Sequence, residues 1–481
     1  MQRLVIIGNS AAGLAAIEAI RSRDRRSRIT LIAAEQHPPY SRVMLTYLLA
    51  GKVSRDELFL HRPDWYRQMG VKALTGRRAV AIDTRARQVL IEPAQVRDDP
   101  RVPRVARPPV SSADRRSKGT GGEPPVAPRG KPPVAPIYRT GKPERIPYDR
   151  LLLATGALAQ RPALPGIDLP GVFCLRDLDD AVAILQYAET LGPHARAVFL
   201  GGGPVCLQAL TALADRGMKV ALVVRSPAIF SQLADAYTAG LAEKVLRRNG
   251  VRVLTNAEPV GIEARSRTRD SGLILHLRSA QRLATDLVII GKGTQPNTEL
   301  ARATDIATDV GILVDETMAT SAAGVYAAGD VAQATHCVTG RKVCYGTWTN
   351  ACDQGRIAGL NLIGCRAEWA GGLNRNVTTL FGHALGSVGV LQPGGGSRGG
   401  GDGRTLRHYV DPRRHVSRRL IFRDGRCDGA VVWNACDDLG VLSWLISTRH
   451  DCSGWEDRIT RGETTFGEAL RKGLVQMPAA H

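Results

Sequence analysis

The sequence predicts an α/β fold: two nested units of alternating strand and helix, followed by a smaller α+β domain. Three observations predict it. A short apolar strand running into a glycine-rich turn and then an apolar helix occurs twice, near residues 3–20 and 197–213. Each copy has a later apolar strand that also ends in a glycine turn, Tyr148 to Gly156 and Leu287 to Gly291. From about residue 366 the pattern changes to short alternating segments that read as antiparallel strands. The whole is expected as two nested Rossmann-like dinucleotide-binding domains plus a C-terminal α+β domain.

In the first unit, Arg3 to Ile7 reads as a strand, Gly8-Asn-Ser-Ala-Ala-Gly13 as the turn and Leu14 to Ile20 as the helix. A turn without side chains lets a pyrophosphate approach a helix N-terminus, where free N–H groups and the dipole hold the anion. Ile29 to Glu35 is a second strand ending in an acid about 20 residues on, where a carboxylate can bind adenosine ribose hydroxyls. Ala79 to Asp83 and Gln88 to Glu92 alternate like hairpin strands.

The second unit repeats the order, with Ala197 to Leu200, Gly201-Gly-Gly-Pro-Val-Cys206 and Leu207 to Leu213. Its second strand, Val220 to Arg225, puts Val224 where an acid would stand and Arg225 directly after it. An arginine there can pair with a 2′-phosphate, which leans toward NADPH and leaves NADH open. Ser10 replaces the middle glycine of the first turn, and Cys206 the last glycine of the second, a position of close helix–strand packing. Later strands are expected at Gly250 to Leu254 and Gly272 to Leu277, before the chain returns through Gly324 to Asp330. The expected domains are 1–164 with 282–365, 165–281, and 366–481. The last is read with strands at Asn376 to Leu380, Ser387 to Leu391, Arg419 to Phe422 and Gly429 to Trp433, and helices near 436–448 and 461–473.

Composition narrows the class. The net charge of +20 would suit nucleic acid, but much of it sits in an insertion at 97–145, rich in arginine, proline and glycine. Pro-Pro-Val-Ala-Pro occurs there at 124–128 and 132–136, so the insertion is expected to be disordered or partly polyproline II. It lacks interleaved aromatics, so nucleic-acid binding is not expected. The basic surface suits a small acidic partner better. A glycine-rich stretch at 392–403 reads as a flexible loop. The nine cysteines show no paired spacing, which argues for reduced thiols in a cytoplasm and against a metal site. The chain opens directly into its first strand, and no apolar run has the length of a membrane span.

The order Gly8-x-x-x-x-Gly13, Ala154-Thr-Gly156, Gly201-x-Gly203, Gly291-Lys-Gly-Thr-Gln-Pro-Asn297 and Ala327-Ala-Gly-Asp330 resembles the FAD-dependent pyridine nucleotide-disulfide oxidoreductase superfamily over about 1–96 and 146–435. Pro39-Tyr-Ser-Arg42 and Leu48-Leu-Ala-Gly-Lys52 look most like the branch of rubredoxin and ferredoxin reductases, NADH oxidases and the large subunit of assimilatory nitrite reductase. The resemblance implies FAD at Gly8, Ser10, Ala11, Gly13, Glu35, Arg42, Thr155, Gly156, Gly329, Asp330 and Trp348. It implies NAD(P)H at Gly201, Gly202, Gly203, Arg225, Gly291 and Gly293. Asp330 would bind a ribityl hydroxyl, Glu35 the adenosine ribose, and Thr347-Trp-Thr-Asn350 would aim a helix N-terminus at the flavin.

The disulfide branch of that superfamily keeps cysteine just after the first domain's second strand. Here Ser41-Arg-Val-Met-Leu-Thr46 has none. Gln208 stands where relatives commonly have glutamate beside the nicotinamide. Without a thiol, electrons are expected to leave from the flavin directly. The leading expectation is an NAD(P)H-dependent flavin reductase serving a small ferredoxin- or rubredoxin-type carrier, with no general base required. The alternatives are an NADH oxidase, or a flavin-binding interaction protein whose nicotinamide site has decayed. The acceptor and the oligomeric state, a homodimer included, stay open.

Overall fold

The computed structural model describes residues 1–94, 142–265, 272–391 and 403–463. The 97–145 insertion, apart from its last residues, and nearly all of the glycine-rich stretch lie outside them.

Two five-stranded parallel sheets organise the first 360 residues. In the first, Arg3–Ile7 is flanked by Arg28–Ala33 and Arg150–Leu153, with Val71–Thr75 and Val325–Ala327 at the edges. In the second, Arg196–Leu200 is flanked by Lys219–Val223 and Leu287–Ile290, with Arg252–Leu254 and Val172–Cys174 outside. The registers match: Ile7 lies opposite Leu153 and Ile32, and Leu200 opposite Ile290 and Val223. These strands are near-continuous apolar runs because both faces of a parallel sheet are covered. Leu287–Ile290 belongs to the second sheet, so the chain returns to the first unit after Ile290 and not at 282.

Each sheet carries an antiparallel three-stranded sheet: Arg77–Asp83, Gln88–Pro93 and Glu144–Pro147 in the first unit, Pro259–Arg265, Gly272–Leu277 and Arg282–Thr285 in the second. The same ion pair closes the open end of both units. Asp149 accepts from the Arg3 backbone N–H at 2.6 Å and from the Arg3 guanidinium at 2.6 and 3.2 Å. Asp286 accepts from Arg196 in the same way, at 2.9, 2.7 and 3.0 Å. Each aspartate thereby ties the start of a central strand to the start of its neighbour.

Helix Trp348–Leu362 lies across helix Ala11–Arg23 at very short range. A Cβ on Gly355 would come within 2.2 Å of the Ala12 carbonyl, and one on Gly359 within 2.6 Å of that of Ala16. Small residues on both helices are what permit the contact.

The C-terminal part is a five-stranded antiparallel sheet of Arg375–Leu380, His383–Gly389, Arg426–Trp433, Val416–Arg423 and Thr405–Asp411, in that spatial order. Leu439–Ser447 packs on one face. Leu380, Leu385, Val431 and Trp433 join the second unit's core beside Leu207 and Leu210. Arg419 also lies 3.6 Å from Asp235, the N-cap of helix Ala236–Arg248. Glu456–Arg461 is helical and Gly462 ends it with φ 72°; the helix expected near 461–473 lies, from residue 464 on, outside the described residues. Gly462 can take that left-handed conformation at no steric cost.

Candidate functional site

A cavity of about 1760 Å³ runs between the two parallel-sheet units and reaches the first strand of the C-terminal sheet. Three helices of twelve or more residues begin at its wall, at Ala11, Pro204 and Trp348. Their N-cap residues, Ser10, Gly203 and Thr347, all have extended backbones, and none accepts a capping hydrogen bond with its side chain. The other two helices of that length, Leu178–Leu191 and Ala236–Arg248, are capped. Asp177 accepts from the Asp180 N–H at 2.9 Å, and Asp235 from the Tyr237 and Thr238 N–H groups at 3.0 and 3.1 Å. Helix starts leave N–H donors that something must satisfy, and the three facing the cavity keep theirs for an acceptor other than their own cap.

All but one of the residues singled out in the sequence line this cavity: Gly8, Ser10, Ala11, Glu35, Arg42, Thr155, Gly156, Gly201, Gly202, Gly203, Arg225, Gly291, Gly293, Gly329, Asp330 and Trp348. Gly13 sits behind the loop. Its missing Cβ makes room for the Gly8 carbonyl, which would otherwise lie 2.1 Å away. Gly8 and Gly201 have φ of 127° and 135°, and a Cβ on them would strike the carbonyls of Ala154 and Gly291 at 2.0 and 2.1 Å. Ser10 is tolerated because the middle position is extended, with φ −137°. Cys206 is tolerated through an exchange: a Cβ on Gly291 would lie 2.5 Å from the Cys206 Cβ, so the glycine has moved to the facing strand end.

The charged groups are arranged differently from the simple expectation. Glu35 is engaged on both oxygens, by the Arg42 guanidinium and by the Tyr40 hydroxyl at 2.6 Å. Burial pushes the Tyr40 phenol up, so it remains a proton donor. Arg42 also donates to the Arg176 carbonyl at 3.1 Å, and Tyr40 accepts from the Leu178 N–H at 3.0 Å. Arg176, which the sequence reading missed, donates to Asp330 at 2.9 Å and to the Ala157 carbonyl at 3.0 Å. The segment crossing between the units is thus tied to both ends of the first cofactor region. Its sequence signal was the Asp177-x-x-Asp180 capping box directly after Arg176. Gln354, fully buried, accepts from the Gly329 N–H at 2.8 Å and fixes the turn before Asp330.

Beside the second loop, Arg225 and Lys292 line the cavity and make no ion pair among the described residues. Thr46 donates to Gln208 at 3.2 Å, joining the two units at the cavity wall. Cys206 is the one cysteine lining the cavity among the described residues, and burial pushes its thiol up to about 12. A thiol held there is a poor nucleophile at neutral pH. All nine cysteines are free.

Two strand–turn–helix units whose helix starts converge on one cavity define an oxidoreductase that brings two dinucleotides together. Residues 2–355 match the pyridine nucleotide-disulphide oxidoreductase family, and the chain belongs to that family. The family's cofactors are FAD and NAD(P)H, and this chain is an NAD(P)H-dependent flavin oxidoreductase. It is 25% identical over 467 residues to the assimilatory nitrate reductase electron transfer subunit of Bacillus subtilis, covering 96% of this chain and 52% of that longer one. It is 28% identical over 447 residues to the ferredoxin–NAD(+) reductase component of the biphenyl dioxygenase system of Paraburkholderia xenovorans, covering 93% of each. The crystal structure of the ferredoxin reductase for the CYP199A2 system of Rhodopseudomonas palustris matches with a TM-score of 0.76 at 20% identity, covering 99% of this chain and 100% of that one. Among the described residues, no helix is long and apolar enough to cross a membrane.

Proposed function

We propose that the chain moves electrons from NAD(P)H through FAD to a small iron–sulfur or rubredoxin-type carrier, with no protein thiol between. The observation that carries this is the single cavity into which both glycine loops open, with its one lining cysteine buried at the second loop and none at Ser41 to Thr46. FAD, when bound, supplies the conversion of a hydride pair into single electrons.

The chain's own residues do the rest. The N–H groups after Gly8 and Ser10 hold a pyrophosphate, with Gly13 packed behind them. Glu35 takes the adenosine ribose, its carboxylate oriented by Arg42 and Tyr40 and still offering lone pairs. Asp330, held by Arg176, faces the ribityl chain. Thr155 and Gly156 border the flavin region, and Trp348 opens the helix whose positive end favours a reduced, anionic ring. Gly201 to Gly203 receive the nicotinamide dinucleotide, with Gly291 and Gly293 as the facing strand end. Arg225 stands free for a 2′-phosphate, which supports NADPH. The Cys206–Gly291 exchange supports a working second loop over a decayed one.

The relatives named as a ferredoxin–NAD(+) reductase component and an electron transfer subunit support a protein carrier as acceptor. The test is anaerobic mixing with NADPH or NADH in a stopped-flow instrument, followed by a ferredoxin or by oxygen. The flavin should bleach on the first addition and recover faster with the carrier than with oxygen. Faster recovery with oxygen would make the protein an oxidase. A colourless chain that cannot be reconstituted with FAD would end the reading.

A further inference from the structure

The geometry points to Lys292 as the residue that pairs with the pyrophosphate of the nicotinamide dinucleotide at the second glycine loop, an inference that rests on the function proposed above. The two loops correspond position by position, because the strands feeding them share one register: Gly8 with Gly201, Ala11 with Pro204, Gly13 with Cys206. At the first helical position the first loop has the Ala11 N–H. The second has Pro204, which has no N–H to give. The second loop therefore offers an anion one backbone donor fewer than the first.

Lys292 is placed to make good the difference. Ile290 lies opposite Leu200, and the Gly291 carbonyl abuts Gly201, so Lys292 stands at the lip of the loop. The corresponding residue of the first unit is Thr155, whose hydroxyl is already committed to the Asn297 carbonyl at 2.8 Å. Lys292 is half-buried, lines the cavity and makes no ion pair among the described residues. Burial, together with the Arg225 cation, lowers its pKa. The other groups that act on it are Glu258, paired with Arg278 at 2.7 Å, and the neutral Cys206 thiol. A half-buried ammonium in that setting gains most from an anion. Arg225 follows the strand Lys219–Val223 on the opposite flank of the loop, the place where a ribose 2′-phosphate is expected. The two cations divide the work: Lys292 serves the phosphates that NADH and NADPH share, and Arg225 the one they do not.

The test uses FAD-loaded protein titrated with NAD+, NADP+ and ADP-ribose, none of which reduces the flavin. Lys292→Met should weaken all three by the same factor, roughly tenfold for one charge-assisted contact. Lys292→Arg should recover most of the loss, and FAD content should stay at the wild-type level. Wild-type affinity should also fall as pH rises toward the lowered lysine pKa, while Lys292→Met should stay flat. Unchanged affinity in Lys292→Met overturns the inference, and so does a loss confined to NADP+. Wild-type protein that keeps FAD yet binds none of the three probes overturns the nicotinamide reading itself.

Discussion

Gly13 and Cys206 occupy corresponding positions in the two loops, yet only one is glycine. The first unit keeps Gly13 against Gly8 and carries Ala154 on the facing strand end, while the second carries Cys206 against Gly291. Gly13→Ala should therefore cost the bound flavin: its Cβ would lie 2.1 Å from the Gly8 carbonyl and must displace the loop. Purified Gly13→Ala should have a much reduced visible flavin absorbance while the nicotinamide unit still binds ADP-ribose. At Arg225, substitution by alanine should weaken NADP+ about tenfold or more, the scale of hydrogen bonds to a charged group, and leave NAD+ within about twofold. Isothermal titration of both ligands decides it, and equal losses would remove the 2′-phosphate role.

At the scale of elements, each unit is braced by an arginine–aspartate clamp, and the clamps predict acid behaviour. Burial would raise the Asp286 carboxyl, but hydrogen bonds from the Arg196 side chain and backbone, and its charge, hold it below the ordinary range. Asp149 is lowered by the Arg3 side-chain bonds first. A depressed carboxyl contributes stability that is fully present above its unfolded value, near 4, and is lost as pH falls through the folded value. Urea melts of Asp286→Asn should show lower stability than wild type at pH 7 and a smaller further loss between about pH 4 and 2. The crossing of helices Ala11–Arg23 and Trp348–Leu362 is the other brace. Gly355→Val would drive a side chain into the Ala12 carbonyl, and overpacking of this kind costs about 1–3 kcal/mol. A lower melting temperature with loss of flavin is expected, since the same helix holds Gly329 through Gln354 and opens at Thr347.

Across the whole molecule, a net charge of +20 sets how a partner arrives. If the acceptor is an acidic carrier, raising salt from about 10 mM to 150 mM shortens the screening length from about 30 Å to 8 Å. Second-order reduction of an acidic ferredoxin should then slow severalfold, while reduction of a neutral dye should not change. Equal salt effects on both would remove steering as a function of the basic surface. Most of the 97–145 insertion lies between Gln88–Pro93 and Glu144–Pro147, adjacent antiparallel strands with Ile91 opposite Glu144, so its last two residues are strand and not part of the insertion. The corresponding turn of the second unit joins Leu277 to Arg282, with Leu275 opposite Leu283. The insertion lies at a hairpin tip, where added chain leaves the ladder intact.

The sequence by itself determined the two strand–turn–helix units, their order and sixteen of the residues that line the cavity. Those features are local: glycine spacing, apolar runs and a strand-end acid act over a few residues of chain, and period and turn chemistry record them directly. Strand ends moved by a residue or two, as with Arg28–Ala33 where Ile29 to Glu35 was expected, because the acid lies in the turn beyond the last paired residue. The tertiary structure decided what depends on residues distant in the chain. Arg176 reaches Asp330, and Arg42 reaches the Arg176 carbonyl, only once two sheets lie side by side. The tolerance of Cys206 needed Gly291, 85 positions on. Pairings of that kind are set by packing between elements, which no window along the chain contains.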